Sequence, residues 1–269
     1  MEWWQALVLG IVEGLTEYLP VSSTGHLLVV QRLLGIGGGE AANAYAIVIQ
    51  GGAIVAVFGL YRERIAQMAR GAAGRDPTGR RMALALLVAF IPAAVIGLLA
   101  DKAIEAYLFG AWPVVAAWAA GGILILAVSP RVRPGRGRDL AAITARTALI
   151  VGIAQCAALW PGVSRSLATI LGGIAAGLSL AAAVEFSFLL GLITLGAATA
   201  YKAVESAAAM VDAYGILELA LGFAAAWLCA VLAVKWMVAW LNRHGLAVFG
   251  WWRLVAAAVV AGLLLTGAL

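Results

Sequence analysis

Long apolar stretches alternate along the chain with shorter stretches that carry most of the charge. Six apolar stretches approach the length of about 20 residues that a helix needs to cross a bilayer. They are residues 45–61, 82–100, 113–129, 182–201, 215–241 and 254–269. Because a helix satisfies its backbone polar groups within one segment in lipid, this pattern predicts an all-α integral membrane protein with six transmembrane helices.

The distribution of arginine predicts the orientation of these spans. The three basic loops are 62–81, 130–146 and 242–253. The first two hold 11 of the 18 basic residues, and the third contains Arg243 and Arg253. Two other loops, 101–112 and 202–214, each contain one lysine and two acidic residues. The positive-inside rule places the basic loops in the cytoplasm and the other two outside.

Two further apolar segments do not fit a simple count of crossings. Residues 147–181 leave a cytoplasmic loop, and the span after them must also begin in the cytoplasm to deliver the next loop outside. The same count places residues 35–44 outside, so residues 1–34 form a matching hairpin from the outer side if the two segments are repeats of each other. We therefore predict two re-entrant helical hairpins, broken at Pro20 and at Pro161-Gly162.

The two hairpins are similar in sequence. Gly10-Ile11-Val12-Glu13 is matched 142 positions later by Gly152-Ile153-Ala154-Gln155, and each copy has Val-Ser after its break. Three crossings separate the copies, so the second is inverted. The sequence predicts one polytopic domain over 1–269, built from inverted-topology repeats of approximately 1–129 and 130–269. Paired interrupted segments of this kind indicate a site near the bilayer midplane.

Composition agrees with a membrane protein, since 64% of the residues are hydrophobic and 12% are charged. The net charge of +5 is explained by topology, so no nucleic-acid partner is expected. The start of the chain lacks the basic region of a cleavable signal, and none is expected. Cys156 and Cys229 lie in apolar stretches and are interpreted as packing residues.

Candidate chemistry at the first hairpin begins with Glu13 and Glu17, which share one helix face. Carboxylates in hydrocarbon cost about 2.5–3.5 kcal/mol each, so these should face a polar cavity. They are either a structural pair or a pair that binds metal or handles protons. Ser22-Ser23-Thr24-Gly25 opens the next helix, either as N-caps or as a phosphate site. His26, three residues after Ser23, can approach that hydroxyl and activate it.

Arg165 is the decisive residue of the second hairpin, between Ser164 and Ser166. An arginine at that depth needs an anionic partner, either Glu13 or Glu17 in an ion pair, or a phosphate held by its planar fork. Thr169 shares the Arg165 face and can add a hydroxyl. Together the two tips favour phosphate-ester or diphosphate chemistry.

Other polar residues give weaker signals. Glu185 is either a wall of the site or a hydrogen-bonding partner between helices, and Gln50 and Gln155 are interpreted as structural. The tryptophans near predicted span ends are interpreted as interfacial anchors. They are Trp3, Trp4, Trp112, Trp251 and Trp252.

Two motifs resemble a known family. Residues 13–26, Glu-Gly-Leu-Thr-Glu-Tyr-Leu-Pro-Val-Ser-Ser-Thr-Gly-His, resemble the first signature of the undecaprenyl-diphosphate phosphatases of the bacitracin-resistance type. Residues 159–166, Leu-Trp-Pro-Gly-Val-Ser-Arg-Ser, with Thr169, resemble the second. The resemblance covers essentially the whole chain. Leu167 departs from it, since the family more often has a small residue there.

The resemblance implies a bacterial inner-membrane enzyme that hydrolyses undecaprenyl diphosphate to undecaprenyl phosphate and inorganic phosphate. This reaction recycles the lipid carrier for peptidoglycan synthesis and confers bacitracin resistance. The resemblance also implies a divalent cation, Mg²⁺ or Ca²⁺, and an active site open to the periplasmic side. The motif residues of the family correspond here to Glu13, Glu17, Ser23, His26 and Arg165.

From the residues and the resemblance together we predict a site with three groups of residues. Catalytic roles are expected for Glu17, Ser23, His26 and Arg165, and metal binding for Glu13 and Glu17. The expected substrate-binding residues are Ser22, Thr24, Gly25, Ser164, Ser166 and Thr169. Ser23 is favoured as nucleophile over direct attack by water or a phospho-histidine.

Two other kinds of membrane protein share parts of this pattern. Inverted repeats with broken helices also occur in ion-coupled transporters and lipid flippases, so a transporter or polyprenyl-phosphate flippase is the alternative. Membrane lipid phosphatases with a nucleophilic histidine six residues after a Ser-Arg pair are excluded, because Leu171 occupies that position. The expected partners are undecaprenyl diphosphate and membrane lipid, and the sequence leaves a homodimer open.

Overall fold

The computed structural model describes residues 1–36, 40–132 and 135–269, and within them the chain is helical throughout with short connections. The α-helices are α1 Trp3–Thr16, α2 Ser23–Leu33, α3 Glu40–Leu60, α4 Arg62–Ala72, α5 Pro77–Leu108, α6 Ala111–Val128, α7 Ala145–Cys156, α8 Arg165–Ala175, α9 Leu180–Tyr214, α10 Ile216–His244 and α11 Ala247–Leu265. Short 3₁₀ turns lie at Ser129–Arg131, Leu140–Ala142 and Ala157–Leu159. The predicted all-α fold class is confirmed.

Five of these helices, α5, α6, α9, α10 and α11, are long and apolar enough to cross a membrane. The apolar helix α3 meets α4 at a bend of 77°, and the pair makes a sixth span when it is counted as one. The chain is therefore a multi-pass membrane protein. The number of six crossings and the inverted repeat stay predictions.

Several predicted loops are helical. The basic loop 62–81 contains α4, while α5 continues to Leu108 and α9 to Tyr214 through the predicted outer loops. The two outer loops contain three and five alanines, and alanine is the strongest helix former. Some predicted features lie outside the described part of the structure: residues 37–39, Arg133, and the side chains of Asp101, Glu105, Lys202, Glu205 and Asp212.

The prediction of a basic loop over residues 242–253 is wrong. Helix α10 continues to His244 and α11 begins at Ala247, so the connection is only two residues long. Gly245 ends α10 with φ of +70°, a conformation that glycine adopts without strain. Arg253 consequently lies inside α11 and is completely buried. It cannot act as a cytoplasmic topology signal.

Both predicted hairpins are present as two helices joined at a break. Helices α2 and α8 each have 11 residues, and their first residues are 142 positions apart. The residues before them, Ser22 and Ser164, have φ of 73° and 77°, and they are the non-glycine residues with positive φ in the described chain. This rare backbone conformation in both copies shows that the two breaks are the same kind of turn.

Small residues let the hairpins pack deep in the bundle. In α1, Gly10 lies directly against the backbone of Gly222 in α10, and in α7 the equivalent Gly152 lies against the backbone of Ala89 in α5. A Cβ on Gly152 would stand 2.6 Å from the Ala89 carbonyl oxygen. Close backbone approach of this kind holds helices together where lipid provides no hydrophobic drive.

Candidate active site

The tips of the two hairpins touch each other inside the bundle. Arg165, the first residue of α8, donates from Nη2 to Glu17 Oε1 at 3.1 Å. The Ser166 hydroxyl donates to the carbonyl oxygen of Leu19 at 2.8 Å. Two segments 147–148 residues apart in the chain therefore form one polar site.

Glu17 is the centre of this site. The residue immediately follows α1, and its backbone N–H still bonds to Glu13. Its Oε1 accepts from Arg165, while Oε2 accepts from the Ser23 hydroxyl and from Gln50 Nε2, the latter at 3.3 Å. A buried carboxylate with three donors is held in one orientation. The Ser23–Glu17 contact has the geometry of a nucleophile beside its base.

Arg165 is also fixed from several sides. Its Nη1 donates to the carbonyl oxygen of Ser187 at 2.9 Å, and its guanidinium lies 5.2 Å from the centre of the Tyr18 ring. Gly191 provides the space, because a Cβ there would collide with the guanidinium. Nε has no hydrogen-bond partner among the described residues. One buried guanidinium donor is thus left unpaired by the described residues.

The hydroxyl groups of the second tip form hydrogen bonds with other side chains and with the backbone. The Leu167 N–H donates to Ser164 Oγ at 3.2 Å, and Ser164 is 2.9 Å from Ser166 Oγ, which in turn donates to Leu19. Thr169 Oγ1 donates to the Arg165 carbonyl at 2.8 Å and is 2.7 Å from Ser187 Oγ. Ser164, Ser166 and Thr169, expected to bind substrate, are placed where they hold the tips and Arg165.

The remaining residues of the first tip differ in exposure. Ser22 and Ser23 are buried, whereas Thr24 is exposed. Gly25 lies against the Trp118 ring, where a Cβ would come within 2.7 Å of Cζ2. Any larger residue at position 25 would push α2 away from α6.

The sequence spacing predicts that His26 approaches the Ser23 hydroxyl, but in the structure His26 forms hydrogen bonds with other groups. The ring is 2.7 Å from the Ser22 carbonyl oxygen through Nδ1, and Nε2 accepts from Trp252 Nε1 at 3.0 Å. Since a carbonyl only accepts and an indole N–H only donates, these partners define the tautomer protonated at Nδ1. Both ring nitrogens are therefore engaged away from the Ser23 hydroxyl, which bonds to Glu17.

Glu13 is the unsatisfied carboxyl group of the site. It is 1% exposed, and neither side-chain oxygen has a hydrogen-bond partner among the described residues. A buried carboxylate without partners is costly, so it needs a proton or a cation. In the described chain no three His, Cys, Asp or Glu side chains come together as metal ligands. Within the described chain, the carboxylates that this site presents to a metal ion are those of Glu13 and Glu17.

Sequence reasoning missed two residues of the site. Gln50, interpreted as structural, bonds to the central carboxylate of Glu17. Arg253 donates to carbonyl oxygens of both breaks, Pro20 at 3.3 Å and Gly162 at 2.9 Å. The available signal was an arginine directly followed by an uninterrupted apolar run, Leu-Val-Ala-Ala-Ala-Val-Val.

Glu185 and Trp252 have roles that the sequence left open or assigned differently. Glu185 forms an ion pair with Arg64 at 2.6 Å, which joins α9 to α4 and agrees with an interhelical contact. Trp252, interpreted as a lipid-interface anchor, is half exposed, but its indole N–H reaches His26.

Comparison with known proteins identifies relatives over nearly the whole chain. An undecaprenyl-diphosphatase of Sorangium cellulosum is 50% identical over 264 residues, covering 97% of this chain and 86% of the relative. Undecaprenyl-diphosphatase 2 of Rhodospirillum rubrum is 44% identical over 257 residues (95% and 93%). The Methylococcus capsulatus undecaprenyl-diphosphatase is 42% identical over 259 residues (96% and 94%). The family described as bacitracin resistance protein BacA matches residues 6–259, and this chain belongs to that family.

Proposed function

We propose that this protein hydrolyses undecaprenyl diphosphate to undecaprenyl phosphate and inorganic phosphate. Relatives that are 41–50% identical bear the name undecaprenyl-diphosphatase. The observation that carries the proposal is the contact of Arg165, Glu17 and Ser23 at the meeting point of two hairpins inside a membrane protein. This contact brings an anion-binding guanidinium and a hydroxyl activated by a carboxylate together in one site.

The diphosphate binds between the tips. Helices α2 and α8 both begin there, and the free N–H groups and positive dipole ends of helix N-termini favour phosphate. Arg165 adds its unpaired Nε–H and its charge. These groups stabilise the negative charge on the transferring phosphoryl oxygens, where positioning and electrostatics provide most of the catalysis.

Ser23 Oγ attacks the terminal phosphorus while Glu17 accepts the hydroxyl proton. A P–O bond forms to Ser23, the bond to the bridging oxygen breaks, and the proton passes to the leaving lipid phosphate. Glu17 then takes a proton from a water molecule, whose oxygen attacks the phosphoserine phosphorus. The P–O bond to Ser23 breaks, inorganic phosphate leaves, and Glu17 returns the proton to Ser23 Oγ. His26, bonded to the Ser22 carbonyl and Trp252, holds the backbone that carries Ser23.

Glu13 and Glu17 fit a divalent cation, Mg²⁺ or Ca²⁺. Both Glu13 oxygens lack partners among the described residues, and Mg²⁺ is commonly held by one or two carboxylates together with waters and substrate phosphates. When bound, such an ion neutralises phosphate charge. The protein's part is to supply two carboxylates, of which Glu17 also contacts Ser23 and Arg165.

The proposed location is the inner membrane of a bacterium, with the site open to the periplasmic side. The arginine-rich loops support this orientation through the positive-inside rule. There the reaction recycles the carrier for peptidoglycan synthesis, and the removal of the diphosphate that bacitracin sequesters gives resistance.

Phosphate release from undecaprenyl diphosphate by the protein purified in detergent tests the proposal. Glu17→Ala, Ser23→Ala and Arg165→Ala should each lower kcat by roughly a hundredfold or more. Arg243→Ala, at an exposed position near the end of α10, is the matched control and should keep full activity. Full release by the Glu17 and Arg165 variants would contradict the proposal.

Two outcomes separate the mechanistic alternatives. A phosphoserine at Ser23, trapped by rapid acid quench, supports the covalent step, whereas its absence at full turnover indicates direct attack by water. Detergent has no membrane gradient, so release there also distinguishes hydrolysis from an ion-coupled transporter or flippase.

A further inference from the structure

Arg253 is a buried cation that has no carboxylate partner among the described residues. The side chain is completely buried, whereas the ion pairs among described residues are Arg64–Glu185 and Arg165–Glu17. Removing a guanidinium from water costs several kcal/mol unless its donors are satisfied. An arginine in this position therefore needs a structural or functional reason.

All of the hydrogen bonds of Arg253 go to backbone carbonyls. Nη2 donates to Gly162 at 2.9 Å and to Ala117 at 2.8 Å. Nη1 donates to Pro20 at 3.3 Å, and Nε donates to Trp118 at 3.4 Å. Pro20 and Gly162 lie in the breaks of the two hairpins, where carbonyl groups have lost their helical partners. One side chain thus ties both breaks to α6.

The surrounding packing is adapted to this side chain. Gly121 in α6 provides the space, because a Cβ there would stand 2.7 Å from Arg253 Cζ. The preceding residue, Trp252, donates to His26 Nε2. Helix α11 therefore supports the site through two consecutive residues, one on each side of the first tip's turn.

We propose that Arg253 is a positioning residue for the diphosphatase reaction. Glu17 is three residues before Pro20, and Arg165 is three residues after Gly162. By joining the two carbonyls, Arg253 sets the separation of the tips and so the contact between Arg165 and Glu17. The guanidinium fork reaches several carbonyls in different directions, whereas a lysine ammonium has a single point of charge. This inference rests on the proposed function.

The test compares Arg253→Lys and Arg253→Met with the exposed control Arg243→Met, all purified in detergent. In folded protein we expect kcat to fall roughly tenfold for the lysine variant and roughly a hundredfold for the methionine variant, since misplacement by about 1 Å costs this much. The KM should change much less, because Arg253 does not touch the substrate. Wild-type kcat in folded Arg253→Met would overturn the proposal.

A double-mutant cycle separates positioning from a general role in stability. Arg253→Lys is combined with Arg165→Lys, and the effect of the first change should shrink in the second background because both act on the same contact. Fully additive effects, or variants that unfold without any loss of kcat in the folded fraction, would leave Arg253 with a stabilising role only. Failure of both Arg253 variants to fold would also decide against positioning. Absence of phosphate release by the wild-type protein would instead contradict the proposed function.

Discussion

At the scale of single residues, the site is organised around carboxylates that differ in their surroundings. Glu17 accepts from Ser23, Gln50 and Arg165, whereas Glu13, one helical turn earlier, has no partner among the described residues. A carboxylate with three donors is suited to orient a nucleophile. One without donors is suited to take a cation or a proton.

This difference makes Glu13 the residue to test for cation binding. Glu13→Gln keeps the size of the side chain but removes the charge, so the Mg²⁺ concentration for half-maximal phosphate release should rise roughly tenfold, or about 1.4 kcal/mol of binding free energy. Chelation of divalent cations should abolish release by the wild type, and added Mg²⁺ or Ca²⁺ should restore it.

The buried Gln155, 142 positions after Glu13, is the control for this substitution. Gln155→Leu removes a buried amide but no charge, so it should leave the Mg²⁺ dependence unchanged. An unaltered Mg²⁺ dependence in Glu13→Gln, or full activity after chelation, would show that Glu13 has another role.

At the scale of secondary structure, two short hairpins carry the chemistry and long helices support them. Helices α2 and α8 both begin at the site, each after a serine with positive φ. Such a backbone conformation is disfavoured for serine and persists only where the surroundings impose it. The supporting contacts are the close approach of α1 to α10 and of α7 to α5.

The contact of α1 with α10 can be tested through glycine. Gly10→Ala inserts a methyl group against the Gly222 backbone, so the free energy of unfolding should fall by about 1–3 kcal/mol. Thermal unfolding in detergent measures the change. Gly262→Ala is the matched helical control, because no described atom lies within 4 Å of its added Cβ. If the two variants are equally stable, α1 can move relative to α10 without a loss in the free energy of unfolding, which would contradict this prediction.

At the scale of the whole molecule, the hairpins meet because the two halves of the chain bring corresponding breaks to the same place. The ends of α2 and α8 differ by the same 142 positions as their beginnings. The halves also diverge, since α3 bends by 77° into α4 while α9 continues unbroken to Tyr214. Opposite orientation of the two halves stays a prediction from the loop charges.

Labelling from either side of the membrane tests that orientation. In a protein with Cys156 and Cys229 replaced by alanine, Thr24→Cys at the exposed edge of the first tip should react with an impermeant maleimide in intact cells. Arg243→Cys, in the last turn of α10, should react only after permeabilisation, because this end of α10 is predicted to be cytoplasmic. The reverse pattern would invert the topology and place the site on the cytoplasmic side.

Local pattern was sufficient for the helical elements and for naming the polar residues at the two hairpin tips, whose roles stay predictions. Apolar stretches of membrane length and proline breaks depend on neighbouring residues only, so they predict the apolar helices and the two broken helix pairs correctly, while the number of crossings and the inverted repeat stay predictions. The charged loops were less well predicted, because alanine-rich segments continue a helix whether or not they carry charge.

The partners of individual side chains depend on packing between distant segments, and local pattern does not encode them. Spacing predicts that His26 approaches Ser23, but the fold places Glu17 against Ser23 and brings Trp252 to His26 from 226 residues away. From the sequence, Arg253 is predicted to be a loop residue. In the folded protein α11 packs on α6, and the Arg253 guanidinium donates to the carbonyl groups of Pro20 and Gly162. Hydrophobic periodicity and helix breaks are properties of the chain itself, whereas the satisfaction of buried polar groups belongs to the assembled bundle.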